Sequence, residues 1–181
     1  MIRIARRPMG WYAVRMLQAT QTKLRVVSMP TETADRVRES LHDGHGNTLQ
    51  PGTDYGSGPC RHCLRYSKPG EPLLLFSYRP FGEPRPYQEV GPVFIHAEPC
   101  ARYESTDAIP EDFANRPLVL RPYDANDNIA DSQRYADAGE AATIARELLA
   151  NEDVAYVHAR SRSHGCYLFR IERGNERPGG P

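Results

Sequence analysis

Short apolar runs separated by glycine and proline extend along most of the chain, and this pattern predicts β-strands more than long helices. The runs rich in branched and aromatic residues cover residues 23–30, 72–81, 91–97, 117–124, 129–136, 154–160 and 165–173. Ala-Asn-Asp-Asn follows the fourth run and Ser-Arg-Ser-His precedes the last. Both tetrapeptides favour turns, so each predicts a hairpin.

Two segments show the helical period instead. Pro30 and Thr31 are start signals for a helix over residues 31–41, whose apolar face contains Ala34, Val37 and Leu41. A second helix is predicted over residues 138–151, because Asp137 and Glu140 have the spacing of a capping box. Its apolar face consists of Ala141, Ile144, Ala145, Leu148 and Leu149.

The order of these elements predicts the fold class. No regular β-α-β alternation and no internal repeat occurs, so we expect one α+β domain with a largely antiparallel sheet and two main helices. The domain is expected over residues 23–173, between a flexible basic extension (1–22) and a disordered tail (174–181). The extension is either a weak targeting leader or, as we prefer, a stretch from an upstream start codon with Met16 as the real start. It has no sustained periodicity, so a chain beginning at Met16 should melt like the full one.

Composition narrows the class of protein. The 181-residue chain has a formal net charge of zero, which does not favour a general nucleic-acid surface. No run approaches the roughly 18 apolar residues of a membrane span. Four cysteines are too few for a disulfide scaffold of this length, so we expect free thiols or metal ligands in a reducing cytoplasm. A partner would be an unknown small molecule or protein.

The cysteines and one histidine suggest a zinc site. Cys60 and Cys63 form a Cys-x2-Cys pair, and His96 and Cys100 form a His-x3-Cys pair 32 residues later. Thiolates and imidazoles in two such pairs suit tetrahedral zinc, and the three sulfurs should then lie within about 4 Å of one another. If residues 60–66 instead paired along 73–79, Cys63 would lie roughly 10 Å from His96, too far for a shared ion.

Three other interpretations of the cysteines remain open. They are commonly inert, small, buried hydrophobic residues. A thioredoxin-like redox pair is disfavoured, because it needs the first cysteine at a helix N-terminus and Pro69 allows at most one helical turn after Cys63. A thiol-dependent enzyme or small-molecule-binding protein would use Cys60 with Arg61 and His158, and Cys166 is a further candidate because His158 and Cys166 lie on the last two predicted strands. Cys60 bound to zinc or buried should alkylate slowly in the native protein.

Two loops carry candidate binding residues. Arg160, Arg162 and His164 surround the last hairpin and could hold a phosphate or carboxylate, although a solvated charged turn is the commoner use of such residues. The loop of residues 78–88 is rich in Tyr, Arg and Pro. It is either a protein-binding lip or a self-packed loop whose aromatic residues cover the sheet edge.

A set of short motifs resembles the bacterial domain of unknown function 1203 family. The matching residues are Pro59-Cys60-Arg61, Gly70-Glu71, Pro86-Tyr87, Gly91-Pro92-Val93-Phe94, Tyr156-Val157-His158, Gly165-Cys166-Tyr167, Arg170 and Arg173. The resemblance covers roughly residues 24–173. It implies a small soluble bacterial protein without an established activity. It also implies that a metal site using Cys63 and His96 belongs to a subgroup, because some members differ at those positions.

Overall fold

Two β-sheets form the framework of the protein, and a computed structural model describes residues 22–51, 53, 55–82 and 84–174. The larger sheet has five strands: β1 (Leu24–Val27), β4 (Leu118–Tyr123), β5 (Arg134–Ala136), β6 (Tyr156–Ser161) and β7 (Tyr167–Arg173). Their order is β1-β7-β6-β4-β5, and every neighbouring pair is antiparallel. The smaller sheet pairs β2 (Leu73–Tyr78) with β3 (Gly91–His96), also antiparallel.

Three helices accompany the sheets: α1 (Thr31–Ser40), α2 (Glu111–Ala114) and α3 (Ala141–Leu149). The predicted α+β class, the antiparallel pairing and the two longer helices are confirmed. The four-residue helix α2 was not predicted, because one turn is too short to show a period.

Element ends differ from the predictions in three places. Leu41 follows α1 with a left-handed φ of 53°, so it ends the helix, while its side chain still packs against the same core as Ala34 and Val37. The Glu140 carboxylate accepts the Asp137 N–H at 3.0 Å, as in a capping box, but α3 begins only at Ala141. In the predicted strand 129–136, only Arg134–Ala136 forms β5, and Ile129 makes an isolated bridge.

The two sheets bury separate groups of apolar side chains. The five-stranded region comprises the larger sheet with α2 and α3, and its core includes Leu120, Leu148, Val157 and Phe169. The cysteine region comprises α1, β2, β3 and residues 57–67 and 97–103, and its core includes Val37, Cys60 and Ile95. Alternation within the strands explains both cores, because every second side chain points to the same face.

The predicted terminal segments lie almost wholly outside the described residues. Of the predicted extension only Thr22 is described, and its carbonyl oxygen accepts a 3.1 Å hydrogen bond from Arg146 Nε. Of the predicted tail only Gly174 is described, and its N–H donates to the carbonyl of Lys23 at 2.8 Å. The start at Met16 therefore stays a prediction.

Candidate metal centre

A tight turn places the first two cysteines. The backbone N–H of Leu64 donates to the Cys60 carbonyl at 3.0 Å, and the N–H of Cys60 donates to the Arg65 carbonyl at 2.9 Å. The chain therefore reverses within residues 60–65. Leu64 adopts a left-handed φ of 53°, which is unusual for a branched side chain. Burial of Leu64 in the core of the five-stranded region offsets this strain.

The strand β3 receives this turn and brings Cys60 to His96. Cys60 forms a parallel bridge with Phe94, and the N–H of Arg61 donates to the Phe94 carbonyl at 2.9 Å. The backbone N–H of His96 points to Cys60 Sγ at 3.4 Å. The alternative in which residues 60–66 pair along β2 is therefore wrong. The turn prevents that pairing, because a segment that folds back on itself, with Pro59 bridged to Tyr66, cannot extend along a neighbouring strand.

Cys100 returns to the same place after β3 ends. Ala97 N–H donates to the Pro72 carbonyl at 2.9 Å, and Tyr103 N–H donates to the His62 carbonyl at 3.0 Å, so both ends of the segment are held. Cys100 Sγ then lies 3.9 Å from Cys60 Sγ, within the distance expected from the sequence. Gly58 permits this close packing, because a Cβ there would come within 2.9 Å of Leu73 Cδ1.

The four donor atoms match the dimensions of a tetrahedral site. The ligand atoms of Cys60, Cys63, His96 and Cys100 all lie within 4.8 Å of one another. Cys63 Sγ lies 3.4 Å from His96 Nδ1. Two thiolates around one zinc ion are about 3.8 Å apart, and a thiolate and an imidazole nitrogen about 3.6 Å apart. The donor set and its spacing therefore fit a metal ion that prefers sulfur and nitrogen.

Proton sharing among these groups favours a thiolate at Cys60. The Cys100 and Cys63 thiols lower the pKa of Cys60 by hydrogen bonding, and Cys100 and Cys60 raise that of Cys63. The same sulfurs, Cys100 first and then Cys60, raise the pKa of His96 to about 9. A metal ion would have to displace the remaining thiol protons and the imidazolium proton, so its binding would release protons.

Three side chains surround the ligands. Arg38 Nη2 donates to Cys100 Sγ at 3.5 Å, and Arg38 Nε donates to the His96 carbonyl at 3.1 Å. His62 Nδ1 lies 3.3 Å from Cys100 Sγ, and its Nε2 lies 2.9 Å from Thr31 Oγ1. Glu71 Oε2 lies 3.3 Å from His96 Nε2, without the alignment of a hydrogen bond. Such groups orient metal ligands and balance thiolate charge.

Sequence reasoning missed the roles of these three residues. His62 stands inside the Cys-x2-Cys motif, and that position was its only signal. Arg38 belongs to the polar positions of α1, and Glu71 follows a turn at Gly70. Neither has a spacing relation to the cysteines, so only the packing of α1 and the turn beside β2 reveals them.

The Arg61 side chain is held by hydrogen bonds to backbone carbonyls. It is buried, its Nε donates to the Tyr167 carbonyl at 2.8 Å, and its Nη1 donates to the Pro59 carbonyl. Burial lowers its pKa to about 10. Its side chain therefore links the cysteine turn to β7 of the five-stranded region.

His158 lies apart from the cysteines, on the face of the larger sheet opposite α3. Four aromatic rings surround it, with centroids between 4.8 and 5.1 Å away, from Phe81, Tyr123, Tyr156 and Tyr167. Among the described residues neither ring nitrogen has a hydrogen-bond partner, so no thiol–imidazole pair forms with Cys60 or Cys166. Burial, followed by the charges of Arg160, Arg170 and Arg121, holds the pKa of His158 well below its usual value.

Cys166 lies near the hairpin end, where its Sγ is 3.9 Å from the His164 carbonyl oxygen. It is half-buried and lies outside the group of four candidate ligands. The catalytic roles of Cys60, Arg61, His158 and Cys166 thus stay a prediction that no contact among the described residues supports.

Arginines of both candidate binding loops pair with carboxylates, as Arg85 does with Asp127 at 3.9 Å, whereas Arg79 makes no such pair among the described residues. Arg160 pairs with Glu89, and Arg162 pairs with Asp137. Glu89 also pairs with Arg121 at 2.5 Å, and Phe81 packs on His158. The loop after β2 therefore covers the face of the larger sheet and not its edge, while Tyr87 at its tip is exposed.

The comparisons with known proteins agree with the motifs. The family described as "Protein of unknown function (DUF1203)" matches residues 57–173. This segment contains all four candidate ligands. No curated protein and no solved structure shows a significant match to the chain. Within the described residues, no helix combines the length and hydrophobicity needed to cross a bilayer.

Proposed function

The chain belongs to the DUF1203 family of proteins of unknown function, and we propose that it holds one structural zinc ion through Cys60, Cys63, His96 and Cys100. The observation that carries this proposal is the convergence of four sulfur and nitrogen donors within 4.8 Å. Two of them come from the turn of residues 60–65 and two from the end of β3 and the segment after it. The ion would thus join two segments far apart in the chain.

A structural role fits better than a catalytic one. Four protein ligands fill a tetrahedron and leave no position for water or substrate. Cys60 has no solvent exposure, and His96 is 4% exposed. Cys63 and Cys100 are partly exposed, so solvent can approach the site from one side. A reaction at the ion would still need an open coordination position, and four protein ligands leave none.

Zinc suits the donor set and its surroundings. Three thiolates and a neutral imidazole around a divalent ion leave one net negative charge, and the guanidinium of Arg38 beside Cys100 balances it. Glu71 beside His96 Nε2 would hold the imidazole with Nδ1 towards the sulfurs. Other thiophilic ions, such as iron or copper(I), share part of this chemistry.

The free thiols support a reducing compartment. All four cysteines are unpaired in the structure. In an oxidising compartment, Cys60 and Cys100 would be exposed to disulfide formation instead of metal binding. We therefore propose the cytoplasm as the location.

Metal analysis of the purified protein tests the proposal. We expect about one zinc per chain, and Cys100→Ser should lower the metal content by at least half and reduce thermal stability. Cys166→Ser is the matched control, because it removes a thiol outside the cluster. A native protein without metal, or equal metal content in both variants, would refute the proposal. If the protein instead contained one iron or copper ion per chain, the four-residue site would be correct and only the identity of the ion would be wrong.

Alkylation separates this function from the thiol-dependent enzyme. Zinc-bound, buried Cys60 should react slowly with iodoacetamide until a chelator or denaturant is added, while half-buried Cys166 should react first. Rapid stoichiometric labelling of Cys60 alone in the metal-loaded protein would favour the enzyme instead.

A further inference from the structure

An open groove of about 620 Å³ lies between α1, the loop after it and the end of β2. Its polar walls come from Arg36 on α1, His45 in the loop and Arg79 after β2. It contains none of the four candidate metal ligands. The groove is therefore a feature separate from the proposed zinc site, although both include residues on or beside α1.

Two arginines in this groove have no polar partner within the described part of the chain. Neither Arg36 nor Arg79 makes a hydrogen bond or an ion pair among the residues that the structure describes. The neighbouring α1 arginine, Arg38, shows the contrast, because it pairs with Asp35 at 2.8 Å and contacts Cys100. Two such guanidinium groups that line one groove can both turn towards the same anion.

The carboxylate in the groove does not neutralise these cations. Asp43 accepts hydrogen bonds from the backbone N–H groups of His45, Asn47 and Ser77 at 2.8, 3.1 and 3.0 Å. It also accepts one from the Asn47 side chain at 2.6 Å. These four donors saturate the carboxylate and fasten the loop to β2. Asp43 thus gives the groove a fixed wall and leaves the arginines available.

Aromatic side chains supply an apolar surface beside the cations. Phe76, Tyr78 and Phe81 line the groove, and the rings of Phe76 and Tyr78 meet edge to face with centroids 6.4 Å apart. Ligand sites commonly combine such a surface with a few convergent polar groups. A flat apolar group on the ligand would pack here while its anionic group met the guanidinium groups.

We propose that this groove binds a small organic phosphate monoester that carries a flat apolar group. Two permanent positive charges match a phosphate dianion better than a single carboxylate. The planar guanidinium groups of Arg36 and Arg79 present paired N–H donors to phosphate oxygens. Phe81 contacts the apolar part.

Calorimetric titration with phenyl phosphate tests this proposal, with inorganic phosphate and benzoate as comparison probes. We expect phenyl phosphate to bind with a Kd of about 1 mM or lower and both comparison probes to bind more weakly. Arg36→Gln and Arg79→Gln should each weaken phenyl phosphate binding at least about tenfold. Arg134→Gln, which removes the same charge from the edge strand β5, should leave it unchanged.

Phe81→Ala tests whether the apolar part of the ligand contacts this ring. It should weaken phenyl phosphate binding and leave inorganic phosphate binding unchanged, because only the ester contacts the ring. No binding of phenyl phosphate, tighter binding of benzoate, or equal losses in Arg36→Gln and Arg134→Gln would overturn the proposal.

Arg36 is exposed, so Arg36→Gln keeps the fold, and an unchanged melting temperature verifies this. Metal content in the same samples reports separately on the zinc site.

Discussion

The five-stranded region and the cysteine region are stabilised in different ways. The core of the five-stranded region contains 18 buried apolar residues among those described, and the core of the cysteine region contains nine. Five of the seven buried polar or charged residues belong to the cysteine region or its edges: Ser28, Arg61, His62, Ser67 and His96. A smaller apolar core with more buried polar groups gains less from hydrophobic burial.

This difference is consistent with the position of the candidate ligands in the cysteine region. A two-stranded sheet is marginally stable in water unless something else packs on it. Here α1 covers the small sheet, and the Cys-x2-Cys turn joins it through β3. A metal ion that ties the turn to the end of β3 would supply the stability that a small core lacks. The larger sheet, packed against α2 and α3, has no such need.

Removal of the metal should have the largest effect, and it should be confined to one region. Structural zinc has an apparent binding free energy of about 10 kcal/mol or more near neutral pH. In a chelator, amides of α1, β2 and β3 should therefore exchange much faster, while those of β6 and β7 change little. Hydrogen exchange with mass spectrometry measures this. Equal acceleration in both regions would show that they unfold together and that the comparison is wrong.

A cavity in the larger core should cost less and should not depend on metal. Phe169 is fully buried and meets Phe113 at a ring distance of 5.2 Å. Phe169→Ala should lower the free energy of unfolding by about 3–5 kcal/mol. Urea unfolding with and without chelator measures it, and the loss should be the same in both. Ile95→Val in the smaller core is the comparison, with an expected loss of about 1 kcal/mol in the metal-loaded protein.

Replacing Arg61 tests the connection between the regions. Arg61→Met removes the bonds to the Pro59 and Tyr167 carbonyls and leaves both without this donor. The loss should be about 2 kcal/mol, because relief of the buried charge offsets part of the broken hydrogen bonds. Lys68→Met, at an exposed position, should change stability by less than about 0.5 kcal/mol. Equal effects of the two changes in urea unfolding would contradict the link.

His158→Leu should have a smaller effect than Arg61→Met at neutral pH, and of the opposite sign. Both imidazole nitrogens lack partners among the described residues, so the change should raise the free energy of unfolding by about 1 kcal/mol. A large loss of stability would instead show that the imidazole has a partner.

The same variant gives a pH signature. Burial lowers the folded-state pKa of His158, so below about pH 6.5 the unfolded chain binds a proton that the folded protein does not. Stability from this group is complete above that pH and falls by about 1.4 kcal/mol per pH unit below it. The His158→Leu variant should lack this component in urea unfolding between pH 5 and 7. Identical pH profiles would contradict the assignment.

Local patterns determined much of the fold. Apolar runs bounded by turn residues predicted every strand except the shortened β5 close to its observed position. The 3.6-residue period predicted α1 and α3. These features depend on residues close together in the chain, so the sequence alone can predict them. The predicted ends of elements were wrong where tertiary contacts decide them. Leu41 ends α1 in a left-handed conformation, and β5 is shorter than predicted.

The ligand types were likewise evident from the sequence, since two Cys/His pairs with short spacings suit one metal ion. Their convergence was not evident, because it depends on whether residues 60–66 run along β2 or turn back beside β3. The roles of Arg38 and Glu71 and the bond between Asp43 and Ser77 are visible only in the folded structure, because these contacts join residues 25 to 62 positions apart. Sequence spacing determines which donors are available; long-range pairing of strands, turns and helices decides which of them meet.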